Sequence, residues 1–304
     1  MSETGIVIVT YNSEREIGPC LDAAMRSGAE IVVVDNASCD GTAAEVKRRG
    51  VRLIANASNR GFAGAVNQGF AALNAPYVLL LNPDAVIASS LEPLRAACDL
   101  PGSAGGGGLL LDSNGRPQVG FMVRALPTPW ALALEALLLN RIWPKNRVNR
   151  RYRGLDLDYS RRFAAEQPAG AFLMIRRSVW LELGGLDERF CPLWFEDVDF
   201  CRRASDRGYR LYFVPEAVAN HTGAHSIARV SVEKRQFYWY RGVLWYAAKH
   251  FRPAELRAVS LAIVTGSILR VIAELILGRG IQSVAAYGKV LRLAGRCAVF
   301  GWKR

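Results

Sequence analysis

Short unbroken runs of β-branched and aliphatic residues alternate with stretches of helical periodicity along the first hundred residues, and few architectures accept that alternation. Residues 6–10, 31–35, 51–55 and 77–81 predict strands, while residues 17–26, 42–49 and 62–72 predict helices. Apart from Arg52, each run is continuous rather than alternating up to its last residue, which suits a sheet covered on both faces. The βαβα order implies an α/β fold with a mostly parallel sheet flanked by helices.

Ligands of such sheets bind beyond the carboxyl ends of the strands. The residues expected there are Tyr11-Asn12-Ser13, Asp35-Asn36-Ala37-Ser38, Asn59-Arg60-Gly61 and Asn82-Pro83-Asp84. Any one of these would serve as a turn or a helix cap. Four on one rim point to a binding site. The glycine run at 105–108 has no Lys-Ser/Thr after it and no Gly-x-Gly-x-x-Gly around it, so both nucleotide-loop motifs fail. It is expected to be a flexible lead into a strand at 109–111.

Further along, a strand is expected at 170–175 and a helix from about Ser178. A dense acidic and aromatic cluster follows, from Trp194 to Arg203. Trp194, Val198, Cys201 and Ala204 recur at helical spacing and are expected to form a buried stripe, with Asp199 and Arg203 paired at i, i+4. A strand at 210–214 and the segment Asn220-His221-Thr222-Gly223 complete this part.

Composition sets outer limits. The 304 residues are 51% hydrophobic and 22% charged, enough for a packed core and far from a disordered or collagen-like chain. Six cysteines lie scattered with no Cys-x-x-Cys pair, which argues against a disulfide framework or a thiolate zinc site and fits a reducing cytosol. The first twelve residues carry no basic flank and long apolar run, so no signal peptide is expected. The net charge of +12 is uneven: residues 141–162 carry +6 and residues 228–304 carry +11, against −3 for residues 1–140 and −2 for residues 163–227. Such local excess implies a local anionic partner.

Taken in order, Val9-Thr10-Tyr11-Asn12, the run from Val34 to Thr42, Asn59-Arg60-Gly61-Phe62-Ala63-Gly64, Leu81-Asn82-Pro83-Asp84, Phe195-Glu196-Asp197-Val198-Asp199 and His221 resemble glycosyltransferase family 2. The resemblance spans roughly residues 5–227 and is nearest to the bacterial rhamnosyltransferase-like branch. It implies a GT-A (Rossmann-like) fold, a nucleotide-sugar donor, a divalent cation (Mg2+ or Mn2+) and inversion at the anomeric carbon. It further implies a donor subsite built from Thr10, Tyr11, Asp35, Arg60 and Asp84.

The chemistry of each position agrees with these roles. Asp35 can accept from the imide N–H of uracil or thymine, and Tyr11 offers a ring for the base or ribose. Asp84 is the carboxylate expected to hold the cation against the diphosphate. Asn82 stands where the family's Asp-x-Asp form has its first Asp, which removes a charge; the resemblance implies His221 as an additional ligand, and His221 would equally serve as a structural loop histidine. Asp197 is the expected catalytic base, with Glu196 beside it binding acceptor or orienting the base. Both acids would also complement a helix dipole.

The expected organisation is a catalytic domain at 1–227, with a basic insert at about 130–162, and a basic amphipathic helical tail at 228–304. The tail interleaves Phe237-Tyr238-Trp239-Tyr240 and Trp245-Tyr246 with Arg235, Arg241 and Lys249, divided here between core packing and interfacial contact. Its residues 258–269 are uncharged over only about 18 Å of helix, too short to cross a bilayer, so the tail is expected to lie on an anionic membrane at the cytoplasmic face. The function expected is inverting transfer of a sugar from a dTDP- or UDP-linked donor, with L-rhamnose from dTDP-rhamnose as the leading case, to a lipid-linked or polysaccharide acceptor, with no nucleic acid involved. Two other readings stay open: a sugar-phosphate nucleotidyltransferase, and a non-catalytic basic membrane or nucleic-acid scaffold.

Overall fold

The computed structural model describes residues 2–223, 230–276 and 281–302, the last without the side chains of 281–286. In chain order the elements begin β1 (Thr4–Thr10), α1 (Glu14–Arg26), β2 (Glu30–Asp35), α2 (Thr42–Arg48), β3 (Arg52–Ala55), α3 (Gly61–Ala72), β4 (Tyr77–Leu81), β5 (Ala85–Ile87) and α4 (Glu92–Cys98). There follow β6 (Ser103–Leu111), β7 (Val123–Arg124), α5 (Pro129–Ala136), α6 (Leu139–Ile142), α7 (Arg147–Tyr152), β8 (Phe163–Ala165), β9 (Gln167–Pro168) and β10 (Phe172–Arg176). The chain continues through α8 (Arg177–Leu183), α9 (Glu196–Asp206), β11 (Arg210–His221), α10 (Val232–His250), α11 (Pro253–Ile276) and α12 (Ile281–Phe300).

The chain divides into two compact units. The first comprises Met1–Leu126, Arg153–Pro192 and Glu196–Ser226; the second comprises Pro127–Tyr152, Leu193–Phe195 and Ile227–Arg304. Much of the basic stretch at 130–162 thus groups with the C-terminal helices. The tail start expected at residue 228 lies outside the described residues.

In the first unit a nine-stranded sheet has the order β3-β2-β1-β4-β10-β6-β11-β5, with β8 on β11. Strands β3, β2, β1 and β4 run parallel, β10 opposes both β4 and β6, and β11 runs parallel to β6. The continuous apolar runs have the expected cause. Along β1, Ile6 and Ile8 enter one core with Ile17 and Leu21 of α1, while Val7 and Val9 enter the other with Val66 and Phe70 of α3. A two-residue period with both faces covered leaves no position for a polar side chain until the strand ends. The predicted strands and helices of the first hundred residues all form, within a few residues of their expected bounds.

Two expectations fail here. Residues 105–108 are no flexible lead but the buried middle of β6. A Cβ on Gly105 would overlap the Met174 carbonyl oxygen, one on Gly108 would overlap the Phe172 ring, and one on Gly107 would stand 2.6 Å from Pro168 Cβ. Bare backbone is what lets β10 and its aromatic side chain close on β6. The stripe expected from Trp194 also shifts. Helix α9 starts only at Glu196, and it buries Glu196, Asp199, Phe200, Cys201 and Ala204, with Val198 half-buried. Asp199 can face inward because Arg203 pairs with it at 2.8 Å, the i, i+4 pair expected, while the same guanidinium donates to the carbonyls of Leu183 (2.6 Å) and Gly185 (2.7 Å).

In the second unit, α10 buries Tyr240, Leu244 and Tyr246, and Phe195 packs its ring against Trp239 and Tyr246. Phe237, Tyr238 and Trp239 are half-buried. Helix α11 backs onto α5: Gly266 faces the Ala136 carbonyl, which also accepts from Arg270 at 2.6 Å. The helix runs past both Arg257 and Arg270, the charges that bound the uncharged residues 258–269. The expectation of a segment too short to cross is corrected, since α11 has 24 residues and is long and apolar enough to span by length and composition. One third of its most apolar window is buried within the protein.

Candidate active site

Strands β1, β2 and β4 are parallel and in register, so their carboxyl ends deliver Thr10, Asp35 and Asn82 to one rim. Asp35 is buried there and accepts from the Thr10 hydroxyl (2.8 Å), from the Ser38 hydroxyl and from the Ser38 N–H (3.0 Å). Ser38 in turn accepts from the Asn12 N–H at 2.8 Å, and Asn12 accepts from the Cys39 N–H at 2.8 Å. The loops after β1 and β2 are thus laced together. Asn12 and Ala37 hold positive φ values of 53° and 66°, which lets both loops turn sharply at the strand ends. Tyr11, 38% exposed, presents its ring at this rim.

Asn36 is a second hub. It donates to the Gly61 carbonyl (3.0 Å) and accepts from the Arg60 N–H (3.1 Å) and from Asn56 (3.2 Å). Gly61 is needed for two reasons: its φ is +77°, and a Cβ would meet Cys191 Sγ at 3.1 Å and the Pro192 carbonyl at 3.2 Å. The Arg60 backbone is thereby fixed beside Asn36 at the end of β2, while its side chain is exposed.

The expected metal pair comes together. Residue His221 of β11 pairs with Ala85 of β5, which sets its imidazole beside Asp84, with Nε2 3.4 Å from Asp84 Oδ1 and 3.4 Å from Asn82 Nδ2. His221 is buried, and Phe121 stacks on its ring at 5.2 Å. Gln118 decides the tautomer. Its amide nitrogen donates to the His221 carbonyl at 2.6 Å, so its oxygen must face Nδ1, 2.9 Å away. Nδ1 then donates to Gln118, and Nε2 is the ring nitrogen that faces the Asp84 carboxylate.

A carboxylate oxygen and an imidazole nitrogen that face one another share a positive species between them, a proton or a cation. Adjacent ligands on an ion with bonds of about 2.1 Å stand about 3 Å apart, close to the spacing seen, so one carboxylate and one imidazole fit a hard or borderline cation completed by diphosphate oxygens. Among the described residues no group of three or more His, Cys, Asp or Glu side chains forms a fuller cage.

Asp197 lies near the start of β10. It accepts from the Gly170 N–H (3.1 Å) and the Val198 N–H (2.8 Å). The next carbonyl along, that of Ala171, accepts from the Asn82 N–H at 3.0 Å, which ties the Asp197 contact to the end of β4. Burial pushes the Asp197 carboxyl above its ordinary range, while the two N–H groups and Arg124 pull it back. Glu196, one residue earlier, is buried.

Sequence reasoning left Asn36, Ser38, Gln118, Phe121 and Gly170 out of the site. Asn36 and Ser38 were visible as strand-end residues without a role. Gln118 and Phe121 carried no signal at all, because their relevance depends on 103 and 100 residues of separation from His221.

Residues 5–106 match glycosyl transferase family 2, and residues 159–295 match glycosyl transferase family group 2. An N-acetylglucosaminyl-diphospho-decaprenol L-rhamnosyltransferase of Mycobacterium tuberculosis is 31% identical over 243 residues, covering 74% of this chain and 77% of that protein. Among solved structures, S. aureus TarS 1-349 in complex with UDP-GlcNAc aligns with a TM-score of 0.56 at 16% identity, over 98% of this chain and 82% of that one. The mannosyltransferase PcManGT from Pyrobaculum calidifontis, in complex with GDP-Man and Mn2+, aligns with a TM-score of 0.54 at 16% identity, over 99% and 88%. These last two likenesses concern the fold, which is GT-A. With its motifs on the rim of that fold and 31% identity to a curated relative over most of both chains, the protein belongs to glycosyltransferase family 2 and is a rhamnosyltransferase-like glycosyltransferase.

Proposed function

We propose that the chain transfers L-rhamnose from a dTDP-linked donor to a polyprenyl diphosphate-linked sugar, with inversion, in the synthesis of a cell-surface glycan. The relative from M. tuberculosis, named for rhamnosyl transfer to a decaprenol-linked acceptor, supports the substrate pair. The observation that carries the reaction is the tie from Asn82 through Ala171 and Gly170 to Asp197, which joins the Asp84–His221 pair and the base candidate on one rim.

Asp35, oriented by Thr10 and Ser38, accepts from the pyrimidine imide, while Tyr11 packs on the nucleoside and the Arg60 segment closes the subsite. Asp84 and His221 would hold a divalent cation, which supplies positive charge to the departing diphosphate. Asp197 removes the proton of the acceptor hydroxyl as its oxygen attacks the anomeric carbon; the bond to the diphosphate breaks and nucleoside diphosphate leaves. Glu196 orients the acceptor or the base. The catalytic residues all lie in residues 1–227, and residues 228–304 serve as a membrane-associating tail at the cytoplasmic face, where a polyprenyl acceptor is also held.

The test is transfer by the purified chain from dTDP-rhamnose, UDP-GlcNAc or GDP-mannose to a polyprenyl diphosphate-linked N-acetylglucosamine, with Mn2+ or with EDTA. Addition of one deoxyhexose from dTDP-rhamnose alone is the expected result. Transfer of another sugar would overturn the donor, and pyrophosphate release from a nucleoside triphosphate would favour nucleotidyl transfer.

A further inference from the structure

The two units differ sharply in charge. The first carries 20 basic and 23 acidic side chains, net −3, and the second carries 19 and 4, net +15. All of the chain's positive excess therefore belongs to the second unit, and within it one short segment combines that charge with bare apolar surface. Arg141, Ile142, Trp143, Pro144 and Lys145 are exposed in succession, Ile142 at 77% and Trp143 at 68%. Trp130 at the start of α5 is 73% exposed.

This tip is a built feature. Three asparagines buried beneath it, Asn140, Asn146 and Asn149, form a chain of hydrogen bonds whose purpose is to hold its backbone. Asn146 donates to the Trp143 carbonyl (2.7 Å) and to Asn140 (3.0 Å), Asn149 donates to the Pro144 carbonyl (2.7 Å), and Asn140 donates to Glu135 (3.0 Å). Leu138, with φ of +64°, turns the chain into it. A buried polar network commonly specifies one conformation of the backbone it holds. Here the conformation specified displays an isoleucine and a tryptophan to the surroundings, between Arg141 and Lys145.

We propose that the Arg141–Lys145 tip is a preformed wedge for an anionic bilayer, its Ile142 and Trp143 entering the headgroup layer while the flanking cations meet lipid phosphates. The proposal rests on the membrane reading given above and names the element that makes the contact. Tryptophan prefers that interface, and a basic surface is drawn to anionic lipid by an attraction that salt screens. The outward side of α11 fits the same occupant: Leu261, Ile268, Leu269, Ile272, Leu275 and Ile276 are all exposed. No charged side chain is fully exposed between Ala258 and Ile276; Arg270 and Glu274 are half-buried.

The experiment is flotation of the full chain and of an Ile142→Ser/Trp143→Ser variant with phosphatidylglycerol-rich and with pure phosphatidylcholine vesicles, at low and high salt. Thermal melting and transfer to a short water-soluble acceptor confirm that the variant is folded. The expected result is wild-type binding that needs the anionic lipid and weakens with salt, and a loss of about tenfold or more in the variant. A variant that floats like wild type overturns the wedge and leaves the membrane reading standing. A wild-type protein that never floats overturns both. Sedimentation velocity reads the remaining occupant: a wild-type dimer that the substitutions make monomeric identifies the tip as a contact between copies and overturns the proposal.

Discussion

Gln118 grips His221 at two points, its amide nitrogen on the His221 carbonyl at 2.6 Å and its amide oxygen 2.9 Å from Nδ1. The carbonyl admits only the donor end of the amide, so the oxygen is left to fix the imidazole tautomer. A glutamine in a loop thereby determines which nitrogen of a distant histidine faces Asp84.

Loss of that grip is expected to weaken cation binding. Gln118→Leu frees the ring to turn and removes the acceptor for Nδ1–H, and outer partners of this kind are worth about 10- to 100-fold in metal affinity. Titration of Mn2+ by electron paramagnetic resonance, with dTDP present, reads the change. Asp84→Ala should abolish cation-stimulated turnover and His221→Ala should reduce it. Turnover that survives excess EDTA in the wild type would show that basic side chains neutralise the diphosphate.

Asp197→Asn keeps the shape of the side chain and removes its basicity, so turnover should fall by about 100-fold or more while donor binding persists. The pH profile gives an independent reading. A base acts only when ionised, so turnover falls as pH drops through its pKa. Burial raises the Asp197 pKa above the ordinary 3.8, which moves that acid limb to higher pH than an exposed aspartate would give. If Glu196→Gln is inactive and Asp197→Asn is active, the two roles are exchanged.

Asp35→Ala should weaken dTDP or UDP binding by about 1.5–3 kcal/mol, the range for a hydrogen bond to a charged group. Calorimetric titration measures it, and circular dichroism checks that the loops after β1 and β2 remain folded without the carboxylate that Thr10 and Ser38 share. Unchanged nucleotide affinity in a folded variant removes Asp35 from the subsite.

Arg203→Met leaves Asp199 buried and charged without its partner, and also strips a donor from the carbonyls of Leu183 and Gly185. Breaking a buried pair in this way costs about 3–5 kcal/mol, readable by urea unfolding. Replacing Asp199 by Leu in the same chain should recover most of the loss, because the uncompensated charge is then gone.

Much of this protein is legible in the order of its residues. Short, β-branched, continuous apolar runs such as Val7-Ile8-Val9 read as strands covered on both faces, and the helices between them point to a parallel sheet whose polar strand ends gather on one rim. Thr10, Asp35, Asn82 and Asp84 could be assigned to that rim because a strand ends where its apolar period ends, which is local information. Asp199 and Arg203 could be paired for the same reason, by helical spacing. The tertiary structure decided what depends on contacts between distant segments. The glycines at 105–108 read as a loop until β10 and the Phe172 ring close on them, because sequence records a missing side chain but not the neighbour that requires it. Gln118 gains its meaning only when β11 returns beside β5 and brings His221 to it. Residues 130–162 look like an insert in the catalytic part, and the packing of α5 on α11, where Gly266 lets the Ala136 carbonyl approach, joins residues 127–152 to the basic helices more than a hundred residues away. Periodicity fixes local elements; which of them meet is set by the burial that all of the segments achieve together.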